Sequence, residues 1–136
     1  MTNLEELTRE ECWELAAGTA VARIGWNGPS GPVVLPVNHV VYDRGVWIRT
    51  GAHSSMAEEV DESPVAVLVD DLDPDTHLGW SVQFRGTAQV LYRDQEVPEP
   101  VRRLRAWPSG ARPLWIRLVP EAVSGRRLTV ERPVGR

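Results

Sequence analysis

The stretch "GWSVQFRGTAQVLY", residues 79–92, decides the fold class. Apolar or small residues alternate in it with polar ones: Trp80, Val82, Phe84, Gly86, Ala88, Val90 and Tyr92. A period of two over this length predicts a β-strand with one buried face. Gly86 lies at its centre, and a glycine lets a long strand bend sharply, as strands of small barrels do. The stretch therefore predicts a barrel strand.

Other stretches of strand-forming composition surround this one, with turn-forming residues between most of them: "TAVARIGW" (19–26), "PVVLPVNHVVY" (32–42), "VWIRT" (46–50), "PVAVLVD" (64–70) and "PLWIRLVPE" (113–121). Residues 64–70 are apolar on both faces, which is typical of a strand buried on both sides. Pro36 cannot donate to a ladder, so its strand is expected to be an edge or to be bulged there.

Short helices are expected between the strands. Thr8 and Glu11 form a capping box ahead of "CWELAAG", and Leu4 and Leu7 are expected on the apolar face of the same helix. Two further helices are expected near residues 54–62 and 94–106. Six or more strands with two or three short helices favour a mainly β protein, a small antiparallel barrel.

Composition narrows the class of protein. A length of 136 residues favours one domain, residues 1–136, and the single cysteine excludes an internal disulfide. No apolar run reaches the roughly 20 residues of a membrane helix, and the acidic N-terminal segment differs from a signal peptide. We therefore expect a cytoplasmic protein that does not bind membranes.

Charge is unevenly distributed along the chain. Residues 1–99 carry 6 Arg against 17 Asp and Glu, or −11, and residues 100–136 carry 9 Arg against 2 Glu, or +7. The arginines of the second segment alternate with apolar residues and prolines, and the whole chain has a net charge of −4. We therefore expect no nucleic-acid partner.

No motif supplies a catalytic group or a metal site. The spacing of Asp71, Asp73 and Asp75 matches a calcium loop, but Thr76 stands at the glycine position and Val82 at the final glutamate position. The three histidines are scattered, and "GWSVQ" fails as a nucleophile elbow at Gln83. We expect no metal and no catalytic side chain, so any enzymatic chemistry would belong to a cofactor.

The segment "VWIRTGAHSSM", residues 46–56, is the best candidate for ligand binding. An arginine closes an apolar strand and is followed by small residues with hydroxyls and backbone N–H groups. Proteins bind phosphate with this combination. The alternative is a solvated strand end that leads into a helix.

The chain as a whole resembles the pyridoxamine 5'-phosphate oxidase-like, FMN-binding split-barrel family, and within it the small nitroimidazole-reductase-like members. The resemblance is carried, in the family's order, by "EECWELAAGTAVARIGW", "PVVLPVNHVVYDRGVWIRTGAHSS", "GWSVQFRGTAQV" and "WIRLVPEAVSGRRL". It implies a split β-barrel of antiparallel Greek-key topology with a few short helices. It also implies an FMN-binding homodimer with a site at each end of the subunit interface.

The resemblance assigns roles to nine residues. Arg49 and Thr50 would contact the phosphate or ribityl oxygens, and Ser54 and Ser55 would add hydroxyls and N–H groups. The remaining residues would lie along the isoalloxazine ring or close the site near it: Val37, Asn38, His39, Trp80 and Ser81. From their number and size, the tryptophans Trp80, Trp107 and Trp115 are expected near the subunit interface.

One departure from the family pattern R-T-x-x-G-x-K affects the phosphate site. His53 replaces its glycine and Ser55 its lysine. The loss of one charged phosphate contact is worth roughly 1.5–3 kcal/mol, or about 10- to 100-fold in affinity.

Three functions remain open. The first is an FMN-dependent oxidoreductase that transfers hydride through the flavin to a small nitro-aromatic, quinone or pyridoxamine-like substrate. The second is a binding module without turnover for flavin, deazaflavin, haem or another planar ligand. The third is a structural dimer with an empty cleft.

Overall fold

The computed structural model describes residues 2–51, 55–103 and 113–130. These residues form strands β1 (Thr2–Glu6), β2 (Val21–Gly28), β3 (Gly31–Tyr42), β4 (Gly45–Gly51), β5 (Pro64–Leu72), β6 (Gly79–Leu91), β7 (Pro113–Leu118) and β8 (Ala122–Val130). The helices are α1 (Arg9–Ala17), α2 (Ser55–Val60) and α3 (Glu99–Arg102), with a 3-10 turn at Asp94–Glu96. None of the described helices is both long and apolar enough to cross a bilayer.

Six antiparallel strands close into a barrel. Their order is β6-β5-β2-β3-β4-β7, and β7 pairs with β6 again. Strands β8 and β1 extend the sheet beyond β6, outside the closed ring. The protein is therefore mainly β and its barrel is split, as the sequence predicted.

β6 is the strand on which the split depends. On one edge it pairs with β5, whereas on the other it pairs with β8 through residues 79–85 and with β7 through residues 88–91. Gly86 lies where the partner changes. A Cβ there would stand 3.1 Å from Cδ1 of Leu118 and 3.2 Å from the backbone of Pro120 and Glu121. The missing side chain lets the corner between β7 and β8 cross close to β6.

The capping box is confirmed, but the extent of the first helix is not. The backbone N–H of Glu11 donates to Oγ1 of Thr8 over 3.2 Å, and the N–H of Thr8 donates to Oε1 of Glu11 over 2.9 Å. Leu4 was expected on the helix, yet it lies in β1 opposite Leu128 and is 56% exposed. The helix begins only after its N-cap, Thr8, so the backbone before Thr8 forms hydrogen bonds with β8 instead.

The single helix expected over 94–106 is also wrong. The 3-10 turn ends at Glu96, and α3 begins only at Glu99. Pro98 separates them, because a proline cannot donate to the preceding turn of a helix. Residues 104–106 lie outside the described part of the chain.

Two apolar clusters hold the fold together. The inward faces of the barrel strands and α1 form the main core, where the rings of Trp13 and Phe84 pack with centroids 4.6 Å apart. A smaller cluster lies outside the barrel, between β4, β7 and α3: Trp47, Val97, Val101 and Trp115. Trp115 is only 2% exposed within one chain. Its burial therefore needs no second subunit, its position near a subunit interface stays a prediction, and Trp107 falls outside the described residues.

The outward face of the sheet exposes several apolar side chains among the described residues, beside the ion pair of Arg23 and Asp70. Val65, Val67 and Val69 of β5 are buried, but Leu68 between them is 36% exposed. The expectation that β5 is buried on both faces is wrong for the isolated chain. The exposed surface continues along β5 to Leu72 and onto β2 and β3 through Val21 and Val34. We call Val21, Val34, Leu68 and Leu72 the apolar sheet face.

The prediction for Pro36 is confirmed. At this position β3 pairs with β2 only, opposite Arg23, because its pairing with β4 starts at His39. On its other side Pro36 has no strand partner among the described residues, so no ladder hydrogen bond there needs its missing N–H.

Candidate functional site

The three candidate residues on β3, Val37, Asn38 and His39, point their side chains to different faces of the strand. Val37 and His39 face the barrel interior, with 7% and 3% exposure, and Asn38 between them faces outward. Successive side chains of a strand point to opposite faces, so only one of the three can present its side chain to a ligand on the outer surface. Val37 and His39 could meet such a ligand only through their backbone.

His39 is held inside the barrel by helix α1. Its Nε2 lies 3.0 Å from the carbonyl oxygen of Ala16, at the C-terminal end of the helix. Burial lowers the pKa of His39, and hydrogen bonding to the backbone at Ala16 and Ala20 raises it by a smaller amount. The side chain is neutral near pH 7 and ties α1 to β3.

Arg49 is the outward charged residue at the end of β4. It pairs with Trp115 of β7, and its Cζ lies 5.4 Å from the centroid of the Trp115 ring. Its side chain is half-buried. Asn38 and Arg49 each come one residue beyond the last β3–β4 pair, His39 with Ile48, and both face outward. The two predicted residues therefore belong to one surface of the molecule.

The other residues of the predicted phosphate loop are only partly described. Thr50 faces inward opposite Leu114 and is half-buried. Ser55 is the first residue of α2 and is exposed. Ser54 lies outside the described residues. The predicted contacts of these three residues with a phosphate stay predictions.

Trp80 and Ser81 lie on opposite faces of β6. Trp80 packs against the main core, whereas Ser81 faces outward. Asn38 pairs with Val21 of β2. The pairing of Arg23 with Leu68 puts Val21 level with Asp70 of β5, and Asp70 pairs with Ser81. Asn38 and Ser81 therefore lie in one outward row, three strands apart. At about 4.8 Å per strand their separation is roughly 14 Å across a curved surface.

A shallow groove of about 590 Å³ crosses the outward face of β3, β2, β5 and β6. Gly25 and Ala66 form its floor, Val34 stands on one side, and Arg85 and Glu121 lie at the other. Val34 is four residues from Asn38 along β3, or about 13 Å. The outward edge of β3 thus leads from Arg49 and Asn38 to a flat, mostly apolar groove.

A second, polar groove of about 440 Å³ holds Ser81. Its lining combines hydroxyl, amide and charged groups from β1, β6 and β8: Leu4, Glu6, Ser81, Gln83, Ser124, Gly125 and Arg126. Ser81 is thus in a polar environment, apart from the surface that carries Arg49.

Sequence reasoning missed the residues that support Arg49. The alternation in "PLWIRL" puts Trp115 and Arg117 on one face of a strand, but nothing local shows that this strand pairs with β4. Gly25 and Ala66 are small residues in outward positions, and that is the only signal of the groove floor in the sequence.

The chain belongs to the pyridoxamine 5'-phosphate oxidase family, whose model matches residues 8–127. An uncharacterized protein of Mycobacterium tuberculosis is 32% identical over 131 residues, which cover 93% of this chain and 86% of the relative.

Solved structures share the fold. The structure of an FAD-binding protein from Mycobacterium smegmatis matches with a TM-score of 0.71 and 26% identity, over 92% of this chain and 98% of that one. An FAD-binding protein from Mesorhizobium loti matches with a TM-score of 0.76 and 21% identity, over 96% of this chain and all of that one (100%).

Proposed function

We propose that this protein binds a flavin on its outward surface and acts as a flavin-dependent oxidoreductase in the cytoplasm. The observation that carries the proposal is Arg49, a half-buried guanidinium at a strand end, stacked on Trp115 and beside Asn38. Family membership and the FAD-binding neighbour support a flavin. FMN is the form that the family resemblance favours, and FAD is the alternative.

The surface fits the parts of a flavin in order. The fixed fork of Arg49 suits a phosphate, and the Trp115 ring holds its orientation. From there the outward edge of β3 leads about 13 Å to the groove over Gly25 and Ala66. A flat apolar floor suits a planar ring system, and a volume near 590 Å³ is in the range of ligand sites.

The chemistry proposed for the bound flavin is hydride transfer. The small-molecule substrate would be a nitro-aromatic, a quinone or a pyridoxamine-like compound. The role of the chain is to bind the phosphate, orient the ring and exclude water. His39 is buried in the barrel and so does not serve as an acid or base on the outer surface.

The second candidate is a binding module without turnover for flavin, deazaflavin, haem or another planar ligand. Ser55 is exposed at the position of the family's lysine, and its hydroxyl cannot replace a positive charge. A weaker hold on the phosphate favours this alternative. The visible spectrum of the purified protein, and its change on adding substrate and a reductant, separates the two functions.

The proposed assembly is a homodimer with two equivalent sites. The apolar sheet face leaves Val34 64% and Leu72 50% exposed, which a second copy would cover. Ser81 and Arg49 are four strands apart by way of β3, β2 and β5. By way of β7, Arg49 is level with Leu91 of β6, which is ten residues or about 33 Å along the strand from Ser81. A single flavin could contact both kinds of residue only if one subunit supplies Arg49 and the other supplies Ser81.

Removal of the Arg49 charge tests the flavin proposal. We expect Arg49→Ala to weaken flavin binding at least tenfold, because a charge-assisted phosphate contact is worth roughly 1.5–3 kcal/mol. Titration of flavin fluorescence with FMN and with FAD measures it. Arg93→Ala, in the exposed turn after β6, is the matched control and should bind like wild type. Equal affinity in both variants and wild type would place the cofactor elsewhere.

A charge on the apolar sheet face tests the dimer. Leu68 is 36% exposed, so covering it in both copies contributes about one third of the usual 1.5–3 kcal/mol twice, or about 1–2 kcal/mol. Leu68→Asp adds the desolvation of two carboxylates and should give a monomer at micromolar concentration, measured by light scattering. Tyr92→Asp, at a position 62% exposed beyond the end of β6, should leave the assembly unchanged. A monomeric wild type contradicts the dimer.

A further inference from the structure

A small cavity of about 180 Å³ lies between the β3–β4 hairpin and the segment before α3. Its lining combines one guanidinium, two aromatic rings, apolar groups and two carboxylates: Tyr42, Asp43, Gly45, Trp47, Glu96, Pro98, Arg117 and Val119. We call it the Arg117 cavity. Neither the family resemblance nor the flavin proposal uses it.

Arg117 is held in place from two sides. Its Cζ lies 5.7 Å from the centroid of the Trp47 ring, on the strand opposite. Its Nη2 donates to Oε1 of Gln89, on the strand at the other side. The guanidinium of Arg117 is therefore held above β7 by side chains of β4 and β6 before any ligand binds.

The charge of Arg117 is not neutralised by the residues that the structure describes. None of the ion pairs formed by residues 2–51, 55–103 and 113–130 includes it. Its Nε is shielded from solvent and has no hydrogen-bond acceptor there. Residues 104–112 contain no Asp or Glu that could approach it. A shielded donor and a charge without a counter-ion among the described residues favour the binding of an anion.

The other residues that line the cavity limit which anions can bind there. Asp43 and Glu96 are exposed at the rim, where they repel a doubly charged anion more strongly than a singly charged one. Trp47, Pro98 and Val119 offer apolar contacts. At about 30 Å³ per water, 180 Å³ corresponds to roughly six water molecules, far too little for a flavin.

We propose that the Arg117 cavity binds a small monocarboxylate with an apolar body. The carboxylate accepts hydrogen bonds from Arg117, and the body lies against the Trp47 ring. Arg117 and Trp115, the partner of Arg49, are two residues apart on the same face of β7, about 7 Å along the strand, so the cavity adjoins the surface that carries Arg49. The cavity lining nevertheless includes neither Arg49 nor Trp115. The proposal of a carboxylate site does not depend on whether a flavin binds.

Calorimetric titration of the full-length protein with benzoate, acetate and phosphate at one ionic strength tests the proposal. Benzoate should bind saturably and more tightly than acetate or phosphate. Arg117→Gln should weaken benzoate binding at least tenfold, because it removes a charged partner. Arg93→Gln, which changes an exposed arginine, should bind benzoate like wild type, and circular dichroism checks the fold of each variant.

Two rim variants decide the question if Arg117→Gln does not fold. Asp43→Asn and Glu96→Gln change exposed residues and should raise the affinity for phosphate by a larger factor than that for benzoate. No saturable benzoate binding by wild type, unchanged binding in Arg117→Gln, or unchanged phosphate affinity in both rim variants would overturn the proposal. So would loss of benzoate binding in Arg49→Gln alone, because the anion would then occupy the flavin surface.

Discussion

Lowering the pH should destabilise the fold through His39. The imidazole is 3% exposed, and in its neutral form Nε2–H donates to the carbonyl oxygen of Ala16. Nδ1 is shielded from solvent and has no partner among the described residues. Protonation would put a charge and a second donor into the barrel with no acceptor for it. Burial accordingly lowers the pKa of His39 in the folded state.

The sign and size of the effect follow from proton binding. Because the folded pKa is lowered, the unfolded chain binds more protons below its own pKa of about 6.5, and stability falls as the pH drops through that value. At pH 5.5 about ten unfolded chains in eleven carry the proton. If the folded state stays neutral, the loss is RT ln 11, about 1.4 kcal/mol relative to high pH. The loss stops growing below the folded pKa.

Urea unfolding followed by tryptophan fluorescence at pH 7.5 and 5.5 measures this loss. His39→Gln is the matched variant, because an amide N–H can still donate to Ala16 and does not titrate. Wild type should lose more stability than the variant between the two pH values, by up to about 1.4 kcal/mol, at one fixed protein concentration. His77→Gln, at an exposed position, should behave like wild type. Equal losses in wild type and His39→Gln would refute the reasoning.

Three further substitutions, one of them a control, test the packing of the barrel by urea unfolding. Gly79 has φ +142°, and an added Cβ would stand 2.0 Å from the carbonyl oxygen of Asp71. Gly79→Ala should therefore lower the free energy of unfolding by more than about 3 kcal/mol. The control Gly31→Ala, at φ +124° but in open space, should lower it by only about 1–2 kcal/mol. Comparable losses in both glycine variants would contradict the close approach. Phe84→Ala removes a fully buried ring packed against Trp13 and should cost about 3–5 kcal/mol. A loss under about 1 kcal/mol would show that the core does not depend on this ring.

The sequence by itself determined the features that depend on neighbours along the chain. The period of two in residues 79–92 predicted β6, because alternation of side chains is a property of a single extended strand. The capping box at Thr8 was readable because its two hydrogen bonds join residues three apart. Pro36 marked an unpaired edge, since a proline lacks the N–H that a ladder needs. The order of motifs along the chain gave the family.

Only the tertiary structure decided what lies across the strands. Arg49 meets Trp115, 66 positions away, because closure of the barrel brings β7 beside β4. β1 formed where a helix was expected, because the edge of β8 offered backbone partners that local propensity does not reveal. The exposure of Leu68 likewise depends on which elements pack over the sheet, and none of the described helices or strands covers it. These outcomes depend on pairing between distant segments, and the free energy of such pairing is not encoded in any short stretch of sequence.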